Sequence, residues 1–363
     1  MRVREALKVA LPPFVAAKVL TLAAMLVGIE QATGTISWRL VRESFAHWDA
    51  ISYLDIAARG YPAHADYHDA FLPGYPVLIR VLSVITTDAV AAGVVISALA
   101  ELIVLVAVVE LVRRERDAGT ARFAVWATAL APLGFFLTGV YTESCFIAGA
   151  AVSLLLMRSG RMRGAAVAAA VATAMRVTGI ALLPVMALEL LLQRRVRSDG
   201  AWLVVIPLPL LLYAAYMHLH TGDALAFLHA QALPSFHEAA AWPWDGFRAT
   251  WDTAATSVDP VNRSIFQREV LAGIVGLVAV VAAWVDARFP RSLALFCTLV
   301  WLMAVSLTFW RSVPRYDLAL FPVVIVVADI TARARRFRPL LVGAGAVVMV
   351  WGSLVFAQGG WIG

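Results

Sequence analysis

Apolar runs of Ala, Leu and Val recur along nearly the whole chain, and between Ala89 and Val112 only Glu101 and Glu110 bring charge into one of them. Such runs lack the polar/apolar alternation of a β-barrel strand. They suit helices, whose backbone polar groups are satisfied within the segment. With 61% hydrophobic and 15% charged residues over 363 positions, and a mean hydropathy of +0.80, too little polar surface remains to cover a water-soluble globule. The same numbers exclude a disordered chain. A collagen-like repeat is excluded by 23 glycines without a period, and a disulfide scaffold by two cysteines, Cys145 and Cys297, each inside an apolar run. The expected class is an all-α polytopic membrane protein, one transmembrane unit over 1–363.

The formal charge is +6, and Lys8 and Lys18 are the only lysines. The basic residues form short clusters between apolar runs and no continuous face with interleaved aromatics, so no nucleic-acid partner is expected. They report topology, because cytoplasmic loops carry the excess of Arg and Lys. The clusters are Arg2/Arg4/Lys8, Arg113/Arg114/Arg116/Arg122, Arg158/Arg161/Arg163, Arg194/Arg195/Arg197, Arg288/Arg291 and Arg333/Arg335/Arg336/Arg338, together 19 of the 30 basic residues. Placing all six on the inner face predicts spans near 9–29, 89–112, 123–141, 144–157, 164–176, 178–193, 200–218, 268–287, 292–309, 316–332 and 339–357. These eleven spans put the amino terminus in the cytoplasm and the carboxyl terminus outside.

The apolar piece 74–87 would be a twelfth crossing and would move Arg113 to the wrong side. Its 14 residues fall short of the roughly 20 that a full span needs, so it is expected to be a re-entrant or interfacial helix on the outer face. No small-residue cleavage site follows the first apolar segment, which is expected to remain as an anchor. Two polar stretches, 30–73 and 219–267, then lie outside, each rich in Trp, Tyr, His and Asp. Outer loops of this size point to chemistry there.

The first of them holds His47, Trp48, Asp49, Asp55, His64, Asp66, His68 and Asp69, and runs on through Phe71-Leu72-Pro73-Gly74-Tyr75-Pro76. Asp49 and Asp55 are six apart and fall on different helix faces, which separates them as an acid/base pair, whereas Tyr53 and Ile56 stand beside Asp49. A carboxylate next to an indole at the membrane surface suits a general base, although Trp also populates the interfacial belt and a loop Asp is commonly a cap. His64 and His68 have the i, i+4 spacing of a helical metal pair, but Pro62 works against a helix there and no third ligand has a fixed spacing, so no metal is expected.

Further ionisable residues fall at outer ends of spans: Glu143, Arg176, and the pair Arg311 and Arg315 around Pro314. An arginine at the apex between two short apolar segments, as Arg176 is, needs an anion. A partner such as Glu143 and a substrate phosphate serve equally. Within the spans, Lys18 would snorkel or pair with a neighbouring helix, and Glu101 is a lone buried acid better suited to an interhelical bond than to proton-coupled transport.

His47-Trp48-Asp49-Ala50, Tyr53-Leu54-Asp55-Ile56-Ala57, Gly60-Tyr61 and Phe71-Leu72-Pro73-Gly74-Tyr75-Pro76 stand in one order. The chain resembles the Pig-V-type mannosyltransferases, the GPI mannosyltransferase II family and its bacterial relatives. The likeness continues through Tyr141-Thr142-Glu143-Ser144, Arg176-Val177-Thr178-Gly179 and Pro314-Arg315-Tyr316, covering about residues 40–330. Leu72 replaces a usual second Phe, and Val177 replaces a Pro common after the Arg.

The resemblance implies a GT-C fold and a glycosyltransferase that needs no cofactor or metal. It also implies a polyprenyl-phosphate-mannose donor, a glycolipid, glycan or protein acceptor, and work at the outer face of a bacterial plasma membrane. In that setting Asp49 is the expected base of an inverting transfer. Arg315, Arg311 and Arg176 are expected at the donor phosphate, and Trp48, His47, Tyr75, Glu143 and Tyr316 around the substrates. A flippase of a lipid-linked sugar would share the arginines without needing Asp49, and a non-catalytic subunit of an envelope-glycan complex would need neither.

Overall fold

The computed structural model describes residues 3–195, 199–233, 236 and 239–362. Arg2, Arg197 and the side chain of Arg333, from the basic clusters, lie outside what is described. The elements are helical throughout. In chain order they are α1 (Val3–Thr33), α2 (Trp38–Ser44), α3 (Asp49–Arg59), α4 (Gly74–Thr86), α5 (Ala89–Glu115), α6 (Ala118–Ala129), α7 (Glu143–Arg158) and α8 (Met162–Met175). There follow α9 (Leu182–Leu192), α10 (Leu208–Thr221), α11 (Pro243–Thr256), α12 (Pro260–Val285), α13 (Arg291–Val305), α14 (Val324–Ile330) and α15 (Arg338–Ala357).

Among the described residues, five segments are long and apolar enough to cross a membrane: Val3–Thr33, Ala89–Glu115, Gly200–Thr221, Pro260–Val285 and Ala334–Ala357. Gly74–Thr86, Met162–Met175, Val177–Leu192 and Arg291–Val305 are shorter apolar helices. Short helices at membrane depth need protein neighbours more than lipid, and α8 has them. It lies so close to α7 that a Cβ on Gly149 would stand 2.9 Å from the Ala172 nitrogen and 3.0 Å from the Ala168 oxygen.

The expected span 123–141 is interrupted. Helix α6 stops at Ala129, and the chain then turns through Pro132 into a 3-10 turn at Gly134–Leu137. Pro132 has no N–H to donate and disfavours helical geometry in the residue before it. The irregular stretch is tolerated because it is enclosed, with Phe135, Phe136, Leu137 and Tyr141 all at most 2% exposed. Lys18 of α1 reaches into this layer, pairing with Glu101 of α5 and donating to Thr138 Oγ1 at 2.6 Å.

Ion pairs bring members of three of the basic clusters, Arg116, Arg158 and Arg288, to one end of the bundle. Arg116 meets Asp329 at 2.6 Å and Asp286 at 3.6 Å, while Arg158 meets Glu115 at 2.9 Å and Glu189 at 2.8 Å. Arg158 closes the 16-residue α7 that Glu143 opens, which sets the two about 22 Å apart at 1.5 Å of rise per residue. The two polar stretches are themselves structured: 30–73 contains α2, α3 and a turn at Tyr67–Ala70, and 219–267 contains α11 and the first two turns of α12.

Candidate active site

Helix α3 begins at Asp49 because the backbone reverses at Trp48, whose φ of 56° lies in the left-handed region. For a bulky residue that conformation costs on the order of 1–3 kcal/mol. Surrounding bonds hold it: Tyr141 Oη donates to the His47 carbonyl at 2.7 Å, and the Ala50 N–H donates to the same oxygen at 3.2 Å. The Asp49 carboxylate thus sits in the first turn of a helix, where the macrodipole favours negative charge.

Three other chain segments converge on it. Glu143 opens α7. Arg176 is the extended residue between α8 and the turn Val177–Ala181. Arg315 lies in a helical turn, Val313–Tyr316, that follows a second left-handed residue, Ser312 at φ 65°. That turn is fixed by Glu269 of α12, whose two carboxylate oxygens accept the N–H groups of Ser312 and Val313, each at 2.9 Å.

Arg315 bridges the two acids. Its Nη1 donates to Asp49 Oδ2 at 2.9 Å, while Nε and Nη2 donate to Glu143 Oε1 at 2.9 and 2.7 Å. Arg176 Nη1 donates to the same Oε1 at 2.5 Å. Ring faces complete the cage: Arg315 lies 4.8 Å from both Phe136 and Tyr141, and Arg176 lies 4.6 Å from Tyr316. Burial rises inward, from Asp49 at 24% exposed to Arg315 at 3% and Glu143 at 2%.

Asp49, Trp48, Arg176, Arg311, Arg315 and Tyr316 all line one cavity of about 800 Å³. Three of these residues are cations and one is an anion, so the cavity favours an anionic guest. Glu143 stands behind the arginines and is not part of the lining. Tyr53, one turn after Asp49, also lines the cavity and shares a hydrogen bond with Thr142 Oγ1 at 3.1 Å.

Two sequence-derived candidates lie elsewhere. Tyr75 is fully buried, its hydroxyl donating to the Gly93 carbonyl at 3.0 Å and meeting Ser97 Oγ at 2.8 Å, so it holds α4 against α5. His47 turns its half-buried ring edge-on to Phe356, 5.5 Å between centroids. Burial holds this imidazole below the usual histidine range.

The acids and histidines after α3 make local structure. Asp66 accepts the His68 N–H at 2.7 Å and Asp69 accepts the Asp66 N–H at 3.2 Å, a reciprocal cap on the turn Tyr67–Ala70. Among the described residues no group of three His, Cys, Asp or Glu is arranged to hold a metal. Glu269, Phe136 and Trp361 were not singled out by sequence. For Glu269 alone there was a signal, an acid at the mouth of an apolar run.

Residues 21–195 match the profile of the family described as Mannosyltransferase (PIG-V), a segment that contains Asp49, Glu143 and Arg176. No curated protein matches the chain. Among solved structures it is similar to ArnT from Cupriavidus metallidurans bound to undecaprenyl phosphate, with 14% identity, a TM-score of 0.54, and 95% of this chain and 76% of that chain covered. It is also similar to an Archaeoglobus fulgidus oligosaccharyltransferase tethered with an acceptor peptide, with 12% identity, a TM-score of 0.49, and coverage of 96% of this chain and 55% of that one. The chain therefore spans a little over half the length of that oligosaccharyltransferase. The match over 21–195 takes in a little under half of this all-α polytopic chain, whose fold is similar to that of the ArnT structure.

Proposed function

We propose that the chain transfers mannose from a polyprenyl-phosphate-mannose donor to a hydroxyl of a lipid, glycan or protein acceptor, with inversion and with Asp49 as general base. The observation that carries this is the placement of the Asp49 carboxylate and three arginines on one cavity. Asp49 takes the proton of the acceptor hydroxyl as its oxygen bonds to the anomeric carbon. The bond from that carbon to the phosphate oxygen breaks, and its electron pair leaves with the polyprenyl phosphate. A phosphate leaving group needs positive charge more than it needs a proton, which is the task assigned to Arg315, Arg311 and Arg176.

Arg315 Nη1 is engaged by Asp49. A donor phosphate competes for that edge of the guanidinium, and its arrival would loosen the carboxylate for proton transfer. Glu143 keeps Arg315 and Arg176 ionised and aimed. Tyr316 and Trp48 supply aromatic wall for the sugar. The ligand named for the ArnT structure, undecaprenyl phosphate, agrees in kind with such a donor. The site lies at the opposite end of α7 from the basic clusters, which supports an outer-face active site with a cytoplasmic amino terminus in a bacterial plasma membrane.

The test is transfer of radiolabelled mannose from polyprenyl-phosphate mannose in membranes carrying the wild type or Asp49→Asn, with chelator present. Label with the wild type alone is expected, the variant losing about 10²- to 10⁴-fold. Equal label in both would refute the role of Asp49 and favour a flippase or a non-catalytic subunit.

A further inference from the structure

The cavity has a wall built from outside the segment that matches the family. Helix α15 ends at Ala357, and just beyond it Gly359, with φ of 79°, permits the N–H groups of Gly359 and Gly360 to close onto the carbonyls of Phe356 and Val355, each at 2.9 Å. The reversed chain is held on both sides of Trp361. Ile362 is 4% exposed and joins the main hydrophobic core. Arg268 Nη2 donates to the Trp361 carbonyl at 3.4 Å, the same guanidinium lying 5.2 Å from the Trp351 ring.

So anchored, the Trp361 indole meets that of Trp48 edge-on, with 5.0 Å between centroids and 89° between planes. Both rings line the cavity that holds Asp49 and Arg315. Trp48 is left 44% exposed, a large aromatic surface beside a charged site.

A right-angled indole corner next to a carboxylate and arginines matches a guest with one apolar face and one polar rim. A pyranose has that form, presenting axial C–H bonds to the negative ring faces and hydroxyls to the charged groups. A prenyl chain would gain nothing from the charged side of the corner. The chain position of Trp48, immediately before the base, sets this corner where the transferred sugar would stand.

We propose that Trp361, seated against Trp48, is a specificity-determining residue that holds the hexose of the lipid-phosphate donor beside Asp49. The inference rests on the donor assignment made above. It is tested by equilibrium binding to purified full-length protein in lipid nanodiscs, using two radiolabelled probes, polyprenyl-phosphate mannose and polyprenyl phosphate without a sugar.

Trp361→Ala should weaken binding of the first probe roughly tenfold, the ratio that about 1.4 kcal/mol represents, and leave binding of the second within about twofold. Trp361→Phe should recover most of the loss, and retained binding of the sugar-free lipid reports an intact fold. Equal weakening of both probes, or no weakening of either, would overturn the role of Trp361. A wild type that binds both probes equally, or neither, would instead refute the donor assignment, and this inference with it.

Discussion

Replacing Glu143 by Gln removes one negative charge from beneath two buried arginines. The lost carboxylate is 2% exposed, Arg315 is 3% exposed and Arg176 is 15% exposed, so water can do little to compensate. At an effective dielectric near 20, opposite charges about 3 Å apart attract by roughly 5 kcal/mol, most of which offsets the cost of desolvation. Breaking such a buried arrangement by removing one partner costs about 3–5 kcal/mol, because the orphaned charge stays buried. Here two charges are orphaned, with only Asp49 left to answer Arg315.

Removing Arg315 as well takes one orphan away. The Glu143→Gln/Arg315→Gln double variant should therefore be more stable than the sum of the single losses predicts, by at least about 2 kcal/mol. Unfolding free energies from denaturant titration of the purified protein in mixed micelles would measure all four corners of the cycle. Additivity within about 0.5 kcal/mol, or a loss below about 1 kcal/mol for Glu143→Gln alone, would refute the assignment of Glu143 as counter-ion to both arginines.

His47 should make stability depend on pH. Its folded-state pKa is depressed by burial below the ordinary 6.5, so its contribution is complete above that value and is lost as pH falls from there towards the folded value. Stability should decline as pH falls below 6.5 in the wild type and less in His47→Gln, and equal slopes would contradict the assignment. At the contact of α7 with α8, Gly149→Val should cost about 1–3 kcal/mol or more, because even a Cβ there stands 2.9 Å from backbone; unchanged unfolding would show that the two helices can part. In transfer assays Asp49→Asn should fail while polyprenyl-phosphate binding persists, which separates a lost base from a lost fold.

Where local physics decides, the structure follows the amino-acid pattern closely. The expected segments 144–157 and 164–176 appear as Glu143–Arg158 and Met162–Met175, since apolar runs bounded by charge leave helices few other places to end. The run 123–141 failed the same treatment because hydropathy is blind to hydrogen-bond supply, while Pro132 and the enclosed Phe135–Phe136 stretch obey that supply and not polarity. Residues 74–87 appear as the short apolar helix Gly74–Thr86.

The site divides in the same way. Glu143 and Arg176 were legible as partners because one helical hairpin, α7 with α8, returns the chain to the same end. Arg315 lies 266 residues from Asp49, and composition and spacing say nothing about that meeting; only the order of family-like motifs suggested that they share a site. Glu269 is further from legibility, since its carboxylate serves the backbone of Ser312 and Val313 and leaves no pairing of side chains to recognise. In an apolar chain a charge announces its position and its need for a partner, but which partner answers is set by how the helices return. The pairings that aim Arg315 therefore had to come from the folded structure, where Glu269 fixes the backbone of its turn and Glu143 holds its guanidinium.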